Sequence, residues 1–250
     1  PSFSPQQVKE YYDKMTASYL SIYGDVIQAF RPADTVKLLD YIGRSAGINW
    51  NLNVLDLGCG VGGPAIHFAK RWNAYVDGVT ISEVQQKAGI VKVEQEQLQH
   101  KTHLHLGDYH HLENVALKND AYDVVLFLES LGHSNDVQTA IFQASQKLKK
   151  NGVLYIKDFY KKKVTDVIEQ QKIDKIIGNI NQHYSYNTLD LDELKSAIAT
   201  VGLSIEFIKP FDFMDDITVR YNFEKENQLD IFEGQNIHPA DWLEIKCIKN

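Results

Sequence analysis

Two kinds of apolar pattern alternate along this chain. Short, nearly continuous apolar runs recur from residue 53 onward, and segments with apolar residues three and four positions apart separate them. Runs of the first kind are typical of strands buried on both faces, and their alternation with helices predicts a parallel sheet with crossover helices. The predicted strands span residues 53–57, 74–79, 103–106, 123–128, 152–157, 203–208 and 242–248.

The first fifty residues predict helices rather than strands. Residues 4–7, Ser-Pro-Gln-Gln, have the arrangement of a capping box with proline at the first helical position, and several tyrosines follow on one side of the helix. A second helix is predicted at residues 34–42. After the fifth strand come a long amphipathic helix over 164–180 and another from about 190 to 202, and an aromatic, acidic stretch at 211–232 precedes the last strand.

Length and composition narrow the class of protein. The chain has 250 residues, of which 44% are hydrophobic and 24% charged, and this fits one soluble α/β domain with a sizeable core. A net charge of −7 argues against a dedicated nucleic-acid binder, which needs a positive face. Two cysteines are too few for a disulfide framework. No apolar run approaches the ~18 residues of a membrane span and no secretory signal opens the chain, so a cytoplasmic enzyme is expected.

The strongest local signal is a glycine-rich turn between a predicted strand and a helix. Its glycines have the G-x-G-x-x-G spacing of a dinucleotide site and lie at Gly58, Gly60 and Gly63. A dinucleotide site also needs an acidic residue after the second strand, but that strand ends at Thr80, and Asp77 falls before its end. A dinucleotide does not explain Asp56 either. A carboxylate there can pair with an ammonium group, which S-adenosylmethionine has and NAD lacks.

Residues 54–60 resemble the first motif of the class I S-adenosylmethionine-dependent methyltransferases. Residues 78–85 resemble the variant second motif of the small-molecule, natural-product branch of that family. In that branch polar residues at the places of Thr80 and Gln85 serve the ribose. Asp108, which follows a glycine, resembles the motif whose aspartate meets the adenine amino group. The motifs are specific for the cofactor and only weakly specific for the substrate.

The resemblance covers residues 54–158 and implies a Rossmann-like fold. A mostly parallel seven-stranded sheet, with helices on both faces and one antiparallel strand near the C-terminus, is expected in a single domain, 1–250. Residues 1–50 are expected to form an N-terminal helical lid, and 160–190 and 210–237 substrate caps. The resemblance also implies S-adenosylmethionine as cofactor, with S-adenosylhomocysteine as product. The implied cofactor-binding residues are Asp56, Gly58, Cys59, Gly60, Thr80, Ile81, Gln85, Asp108, Tyr109 and Leu128.

Three polar residues at strand ends are candidates for catalysis. Glu129 and His133 follow the fourth strand and Asp158 ends the fifth, so they meet at the edge where ligands bind. Residues 128–135 with Asp158 resemble the family of the rebeccamycin sugar O-methyltransferase, in which such a histidine and aspartate help activate a hydroxyl. Gly132 departs from the pattern, because those relatives carry a further histidine there. We predict His133 as a base with a near-neutral pKa; the alternative is a helix cap or a contact to the cofactor.

Glu129 has three interpretations: a contact to the cofactor, stabilisation of a cation that develops on the acceptor, or acceptance of helix N–H bonds. The residues predicted on the substrate side are Tyr11, Tyr19, His133 and Tyr221. Plain packing of the N-terminal helix explains Tyr11, Tyr19 and Tyr23 equally well. The aromatic stretch predicted to line the acceptor pocket contains Phe211, Phe213, Met214, Tyr221 and Phe223.

Several functions remain open at this point. A small-molecule methyltransferase is predicted, with O-methylation slightly ahead. The main alternative is C-methylation of a prenyl diphosphate or another electron-rich apolar acceptor, because residues 78–85 and the aromatic stretch also resemble prenyl-diphosphate, sterol and tocopherol C-methyltransferases. N-methylation, an NAD-dependent oxidoreductase and an inactive scaffold are less favoured alternatives. No metal is predicted, since His103, His105, His110 and His111 lack a further ligand at metal-site spacing. The expected partner is the acceptor alone, with a homodimer allowed.

Overall fold

The seven predicted strands form one sheet in a computed structural model of the protein, which describes residues 2–213 and 215–250. Their order is β3-β2-β1-β4-β5-β7-β6. The pairs among β1 to β5 are parallel, and β7 runs antiparallel to both of its neighbours. The strands are β1 Asn53–Leu57, β2 Tyr75–Thr80, β3 Thr102–Leu106, β4 Tyr122–Leu128, β5 Leu148–Lys161, β6 Leu203–Pro210 and β7 Ala240–Lys249. The predicted fold class is confirmed.

Helices cover the sheet and its carboxyl edge. They are α1 Pro5–Tyr23, α2 Thr35–Ala46, α3 Gly63–Trp72, α4 Glu83–Gln95, α5 Val137–Lys147, α6 Val167–Tyr184, α7 Leu191–Thr200 and α8 Thr218–Glu226. The capping box at Ser4 and Gln7 is present. The pattern did not predict α8, because Phe223 is the buried residue of its nine and a helical period is therefore missing. None of the helices in the described parts of the chain is long and apolar enough to cross a membrane.

Both faces of the sheet are buried, which explains the near-continuous apolar strands. In β1, Leu55 and Leu57 pack into the core on one face, and Val54 packs into the core on the other. Successive side chains of a strand point to opposite faces, so β1 needs apolar residues at nearly every position. Asp56 is therefore a charged residue where a core residue would be expected, and it lies at the strand's carboxyl end.

The strand order reverses between β1 and β4. In an open α/β sheet such a reversal leaves a crevice at the carboxyl ends of the two strands, and ligands bind there. The loop that joins α1 to α2, residues 24–34, crosses this edge and is called the strap below. An added Cβ at Gly63 would lie 2.1 Å from the carbonyl oxygen of Asp25, so the strap packs directly on the start of α3.

Candidate functional site

The glycine turn after β1 shapes the crevice. Gly58 and Gly60 have φ angles of +82° and +55°, which residues with a side chain rarely adopt. An added Cβ at Gly58 would lie 2.3 Å from Cβ of Ser130, whereas one at Gly60 would have nothing within 4 Å. Gly60 therefore leaves open space above the turn. The helix α3 begins there without a side-chain cap, so its free N–H groups carry a partial positive charge toward that space.

Asp56 is an unpaired carboxylate beside the turn. It is 1% exposed and its Oδ2 has no hydrogen-bond partner among the described residues. Burial raises the pKa of Asp56 to about 7, because desolvation disfavours the charged form. Asp56 lines a small cavity, here called the glycine-turn cavity, together with Gln28, Gly58 and Gly60. An unpaired buried carboxylate is costly, and a cationic group of a ligand would compensate it.

A second cavity adjoins the first at the tips of β1, β2 and β4, and we call it the strand-tip cavity. The predicted cofactor residues that line it are Gly58, Gly60, Thr80, Ile81, Gln85, Asp108, Tyr109 and Leu128. Asp56 and Cys59 line the glycine-turn cavity. All ten residues predicted from the motifs thus lie around two adjoining cavities. The Thr80 hydroxyl donates to Oε1 of Gln85 at 3.1 Å, which holds both side chains at the rim.

Asp108 is held by a residue that sequence reasoning passed over. Nδ1 of His110 lies 2.6 Å from the Asp108 carboxylate, and Nε2 of His110 lies 2.7 Å from the hydroxyl of Ser134. Burial alone would raise the pKa of Asp108, but the hydrogen bonds from His110 outweigh it and the pKa lies below its usual value. The only available signal was that His110 stands two positions after Asp108. Asp77 takes no part, since His105 and Tyr122 bind its carboxylate.

A third cavity, of about 440 Å³, opens on the other side of β4. We call it the aromatic cavity, because the rings that line it are those of Tyr12, Tyr19, Tyr23, Phe30, Phe159, Tyr184, Tyr186, Phe232 and Trp242. Its charged lining residues are Glu129, Asp215, Arg220 and Glu224. Arg220 lies 3.4 Å from the Asp215 carboxylate, and Tyr184 donates to Glu224 at 3.0 Å. The cavity is therefore mainly apolar, with more acidic than basic groups.

The strand-tip cavity and the aromatic cavity meet at four residues. Tyr12, Ile27, Glu129 and His133 line both. Tyr12 comes from α1, Ile27 from the strap, and the other two from the segment after β4. We call this contact region the junction. Groups bound in the two cavities would face each other across these four residues.

His133 is neutral and fully engaged. Its Nδ1 donates to the carbonyl oxygen of Ser185 at 2.9 Å, because a carbonyl can only accept, and its Nε2 accepts from the Tyr12 hydroxyl at 2.7 Å. Burial lowers the pKa of His133 to about 4. The expectation of a near-neutral base therefore fails: at pH 7 the imidazole is uncharged, and both ring nitrogens already have partners.

Asp158 does not contact His133. Its carboxylate accepts hydrogen bonds from the Tyr186 hydroxyl at 2.5 Å, from the Phe159 amide at 2.9 Å and from the Gly132 amide at 3.1 Å. Burial raises the pKa of Asp158 to about 7. Tyr186 is what separates the predicted pair, since its ring packs edge-on against His133 with centroids 4.3 Å apart. In the structure Asp158 thus holds the Tyr186 side chain in place through this hydrogen bond.

Gly132 makes room for that ring. An added Cβ at Gly132 would lie 2.0 Å from the Tyr186 ring, so a larger residue there would displace it. The Tyr186 ring therefore explains why this chain has a glycine where the O-methyltransferase pattern has a histidine. Sequence reasoning missed Tyr186, which comes from the loop between α6 and α7 and has no motif around it.

Glu129 binds the strap and a buried lysine. Its carboxylate accepts from the amides of Ala29 at 2.5 Å and Phe30 at 3.2 Å and from Lys157 Nζ at 2.5 Å. Lys157 is 0% exposed, and burial lowers its pKa. Glu129 has a φ of +53°, a strained value for a residue with a side chain, and such strain is common at functional sites. The carboxylate thus accepts strap N–H groups rather than those of a helix.

A family model described as a methyltransferase domain matches residues 24–206. The chain belongs to this methyltransferase family. The predicted methyltransferase family is confirmed with it. The dinucleotide alternative is thereby set aside.

Individual relatives of this methyltransferase act on different acceptors. A sterol 24-C-methyltransferase of Gibberella zeae is 27% identical over 135 residues, which is 54% of this chain and 34% of that protein. The (+)-O-methylkolavelool synthase of Herpetosiphon aurantiacus is 26% identical over 181 residues, 68% of this chain and 62% of that protein. The alignments to the curated relatives span 29% to 62% of their length. The geranyl diphosphate C-methyltransferase of Streptomyces coelicolor has the same fold, with a TM-score of 0.79 at 15% identity over 98% of each chain.

The residues present fit S-adenosylmethionine. Its amino-acid end carries an ammonium group, and the unpaired Oδ2 of Asp56 is a buried acceptor for such a group. The open space above Gly60 admits a ligand close to the backbone. Thr80, Gln85 and Asp108 offer polar atoms at the strand tips, where the ribose and adenine would be held. When bound, the cofactor supplies an electrophilic methyl group on a sulfonium.

The residues predicted on the substrate side divide into two groups. Tyr19 and His133 line the aromatic cavity, whereas Tyr11 lies behind it with its hydroxyl 2.7 Å from that of Tyr19. Tyr221 is 61% exposed and does not line the cavity, so its prediction is wrong. The reason is α8: Phe223 faces inward, and a residue two positions earlier on a helix points to the opposite side.

The aromatic stretch contributes to the cavity, but through other residues than expected. The rings of Phe211 and Phe213 pack against Tyr41 with centroids 5.5 Å and 4.9 Å away, and Phe223 stacks on Tyr19. Met214 lies outside the described residues. The stretch instead lines the cavity with Asp215, Ile217, Arg220, Glu224, Ile231 and Phe232. In the described parts of the chain, no group of three or more metal-ligating side chains is arranged to hold an ion.

Proposed function

We propose that this protein transfers the methyl group of S-adenosylmethionine to a small apolar acceptor in the aromatic cavity. The observation that carries the proposal is the junction, where Tyr12, Ile27, Glu129 and His133 line both cavities. Direct displacement requires the acceptor atom to approach the methyl carbon closely and in line, and a shared wall permits that approach. His133 and Tyr12 hold each other in place there through their 2.7 Å hydrogen bond.

The charges of the aromatic cavity support a neutral or cationic acceptor. Three carboxylates and one guanidinium line it, and Asp215 already pairs with Arg220. A diphosphate needs several cationic groups or metal ions, so this lining disfavours a prenyl diphosphate. The lysines at 161–163 do not supply the missing charge, because each pairs with an aspartate outside the cavity.

The same lining supports carbon as the accepting atom. Oxygen methylation requires a base for the hydroxyl proton. The predicted pair does not supply one, because His133 is a weak base with a pKa of about 4 and Asp158 does not line the cavity; His238 lines the aromatic cavity but not the junction. An alkene or electron-rich ring attacks the methyl group through its π electrons and becomes a cation, which afterwards loses a proton to water or to a carboxylate of the lining. Aromatic ring faces and the Glu129 carboxylate stabilise such a cation. The relative that methylates a sterol carbon agrees with this choice.

N-methylation is the second candidate. A neutral amine needs no base before it is methylated, and its product is a cation that acidic residues favour. The carboxylates of Glu224 and Asp215 at the cavity wall favour such a product, and burial raises the pKa of each. Neither this candidate nor C-methylation needs a base before the methyl group is transferred, whereas O-methylation does.

The predicted lid and caps are part of the proposal. Residues of α1 and the strap cover the aromatic cavity from one side, and residues of the predicted caps at 160–190 and 210–237 line it on the other. We propose that these three segments enclose the acceptor and exclude water from it. The homodimer and the cytoplasmic location stay predictions.

Transfer from cofactor carrying a ¹³C methyl group tests the proposal. A library of apolar alkenes, phenols and amines is incubated with the protein, and the carbon shift of the new methyl group shows whether it is bound to carbon, oxygen or nitrogen. We expect a carbon-bound methyl group. An oxygen-bound group with a rate that falls strongly in His133→Ala would restore the O-methyltransferase assignment. No turnover with any acceptor, despite tight S-adenosylhomocysteine binding, would favour the inactive scaffold.

A further inference from the structure

Two buried polar atoms without partners lie on the same small cavity. Among the described residues, Oδ2 of Asp56 and Nε2 of Gln28 are both buried and without a hydrogen-bond partner. Asp56 is 1% exposed and Gln28 2% exposed, and both line the glycine-turn cavity. One atom is an acceptor that carries charge and the other is a donor. Buried polar atoms are normally satisfied, so this pair indicates a ligand with one cationic and one accepting group.

The orientation of Gln28 is set by Lys157. The Lys157 ammonium lies 2.6 Å from Oε1 of Gln28. An ammonium group can only donate, so the amide atom that faces it must be the oxygen, and the NH₂ group must face away. Lys157 is itself fixed, because it also donates to the Phe30 carbonyl and to the Glu129 carboxylate, each at 2.5 Å. The donor of Gln28 therefore cannot be exchanged for an acceptor by a flip of the amide.

The strap holds the backbone of Gln28 as firmly as Lys157 holds its side chain. The neighbouring amides of Ala29 and Phe30 donate to Glu129. The guanidinium of Arg31 donates to the carbonyl oxygens of Tyr23 at 3.1 Å and Val26 at 2.5 Å, which closes the strap into a loop. Gln28 is thus preorganised, and little conformational entropy is lost when a ligand binds to it.

We infer that Gln28 binds the carboxylate of the cofactor's amino-acid end and that Lys157 is a positioning residue which keeps the Gln28 donor turned toward it. Asp56, which lines the same cavity, takes the ammonium group. The two side chains together match an α-amino acid, whose cationic and anionic groups are attached to one carbon. This assignment rests on S-adenosylmethionine as the cofactor.

Calorimetric binding of two probes to the 250-residue chain tests the inference. S-adenosylhomocysteine carries both groups, and its decarboxylated analogue, S-adenosyl-3-thiopropylamine, keeps only the amine. We expect the wild type to bind S-adenosylhomocysteine about 10- to 100-fold more tightly, the value of a hydrogen bond to a charged group. Gln28→Glu has the same shape and keeps an oxygen toward Lys157 but replaces the donor by a charged acceptor. It should abolish that preference, while the affinity for the analogue, which is a cation, should not fall.

Two further variants keep the test decisive. Gln28→Leu removes the donor without adding charge, and Lys157→Met releases the amide while Gln28 stays; both should lower the preference for the carboxylate. Gln143→Leu, whose amide binds Glu113 on the surface, is the matched control and should change neither affinity. If both Gln28 variants keep the full preference for the carboxylate, the inference is wrong but the proposed function stands. Failure of the wild type to bind S-adenosylhomocysteine would instead overturn the proposed function, and the inference with it.

Discussion

The two sides of the junction are built in different ways. The side proposed for the cofactor consists mainly of strand tips and the turns that follow them, which lie close to recognisable motifs, and all ten predicted residues line it. Residues of α1 and the strap, among them Gln28, complete it. The acceptor side is assembled from α1, the strap, the loop after α6 and residues 215–242, which lie far apart in the chain. The residues of a binding site that lies within one supersecondary unit can be predicted from the sequence. Those of a site made of distant segments can be identified only in the folded structure.

The largest effect is expected where the two sides share a residue. Glu129→Gln removes a carboxylate from the junction and leaves the buried Lys157 ammonium without its charged partner. Turnover should fall about 10²- to 10³-fold, and the free energy of unfolding by about 3–5 kcal/mol. The measurements are single-turnover methyl transfer and urea unfolding.

The double variant Glu129→Gln/Lys157→Met separates these two losses. Without the lysine no buried charge remains unpaired, so stability should recover in part, but turnover should not. Recovery of turnover with stability would show that Glu129 acts only by holding the fold together. Full turnover in the single variant would remove Glu129 from the reaction altogether.

The cofactor side should respond to pH through Asp56. Burial raises its pKa to about 7, so the carboxylate is protonated below that pH and must lose its proton to bind an ammonium group. Affinity for S-adenosylhomocysteine should therefore fall about tenfold per pH unit below 7, about 100-fold at pH 5, and stay level above 7. Calorimetry in buffers of different ionisation enthalpy should detect the released proton.

Asp56→Asn and a truncated ligand are the controls for that pH dependence. The variant should bind weakly at every pH, and 5′-methylthioadenosine, which lacks the ammonium group, should bind the wild type equally well from pH 5 to 8. The second carboxylate at this cavity, Asp25, is half-exposed and pairs with Lys92 at 2.5 Å. A pH dependence that survives in Asp56→Asn would contradict the assignment of the ammonium group to Asp56.

Substitution of Gly132 by alanine, which adds one side-chain methyl group, should disturb the acceptor side. In Gly132→Ala the new Cβ would lie 2.0 Å from the Tyr186 ring, so the ring must move and its bond to Asp158 must break. We expect about 1–3 kcal/mol of lost stability and roughly tenfold weaker acceptor binding, with S-adenosylhomocysteine affinity unchanged. The double variant Gly132→Ala/Tyr186→Ala should be less damaging than the sum of its parts. Additive effects would show that the clash is relieved elsewhere.

The errors of the sequence prediction follow the same division. Asp56, Thr80 and Asp108 could be placed because strand ends and glycine turns fix backbone position locally. The pKa of His133 could not, since it depends on burial, and the rings that pack on His133, those of Tyr12 and Tyr186, come from other segments. Those contacts exist only in the folded chain, and no spacing in the sequence encodes them.

The smallest effect is expected for a substitution at Tyr221. The same substitution at Tyr19 is the comparison. Both tyrosines were predicted to line the acceptor pocket, but Tyr221 is 61% exposed while Tyr19 is buried and stacks on Phe223 at 4.4 Å. Surface substitutions usually change stability by less than about 0.5 kcal/mol, so Tyr221→Ala should leave both Tm and turnover nearly unchanged. Tyr19→Ala removes a cavity wall and a buried ring. It should lower the free energy of unfolding by about 3–5 kcal/mol and weaken acceptor binding.

Thermal unfolding and the acceptor KM are measured on the two variants. Loss of acceptor binding in Tyr221→Ala at unchanged Tm would mean that α8 turns inward when the acceptor binds, and that the acceptor side, unlike the cofactor side, is completed by its ligand.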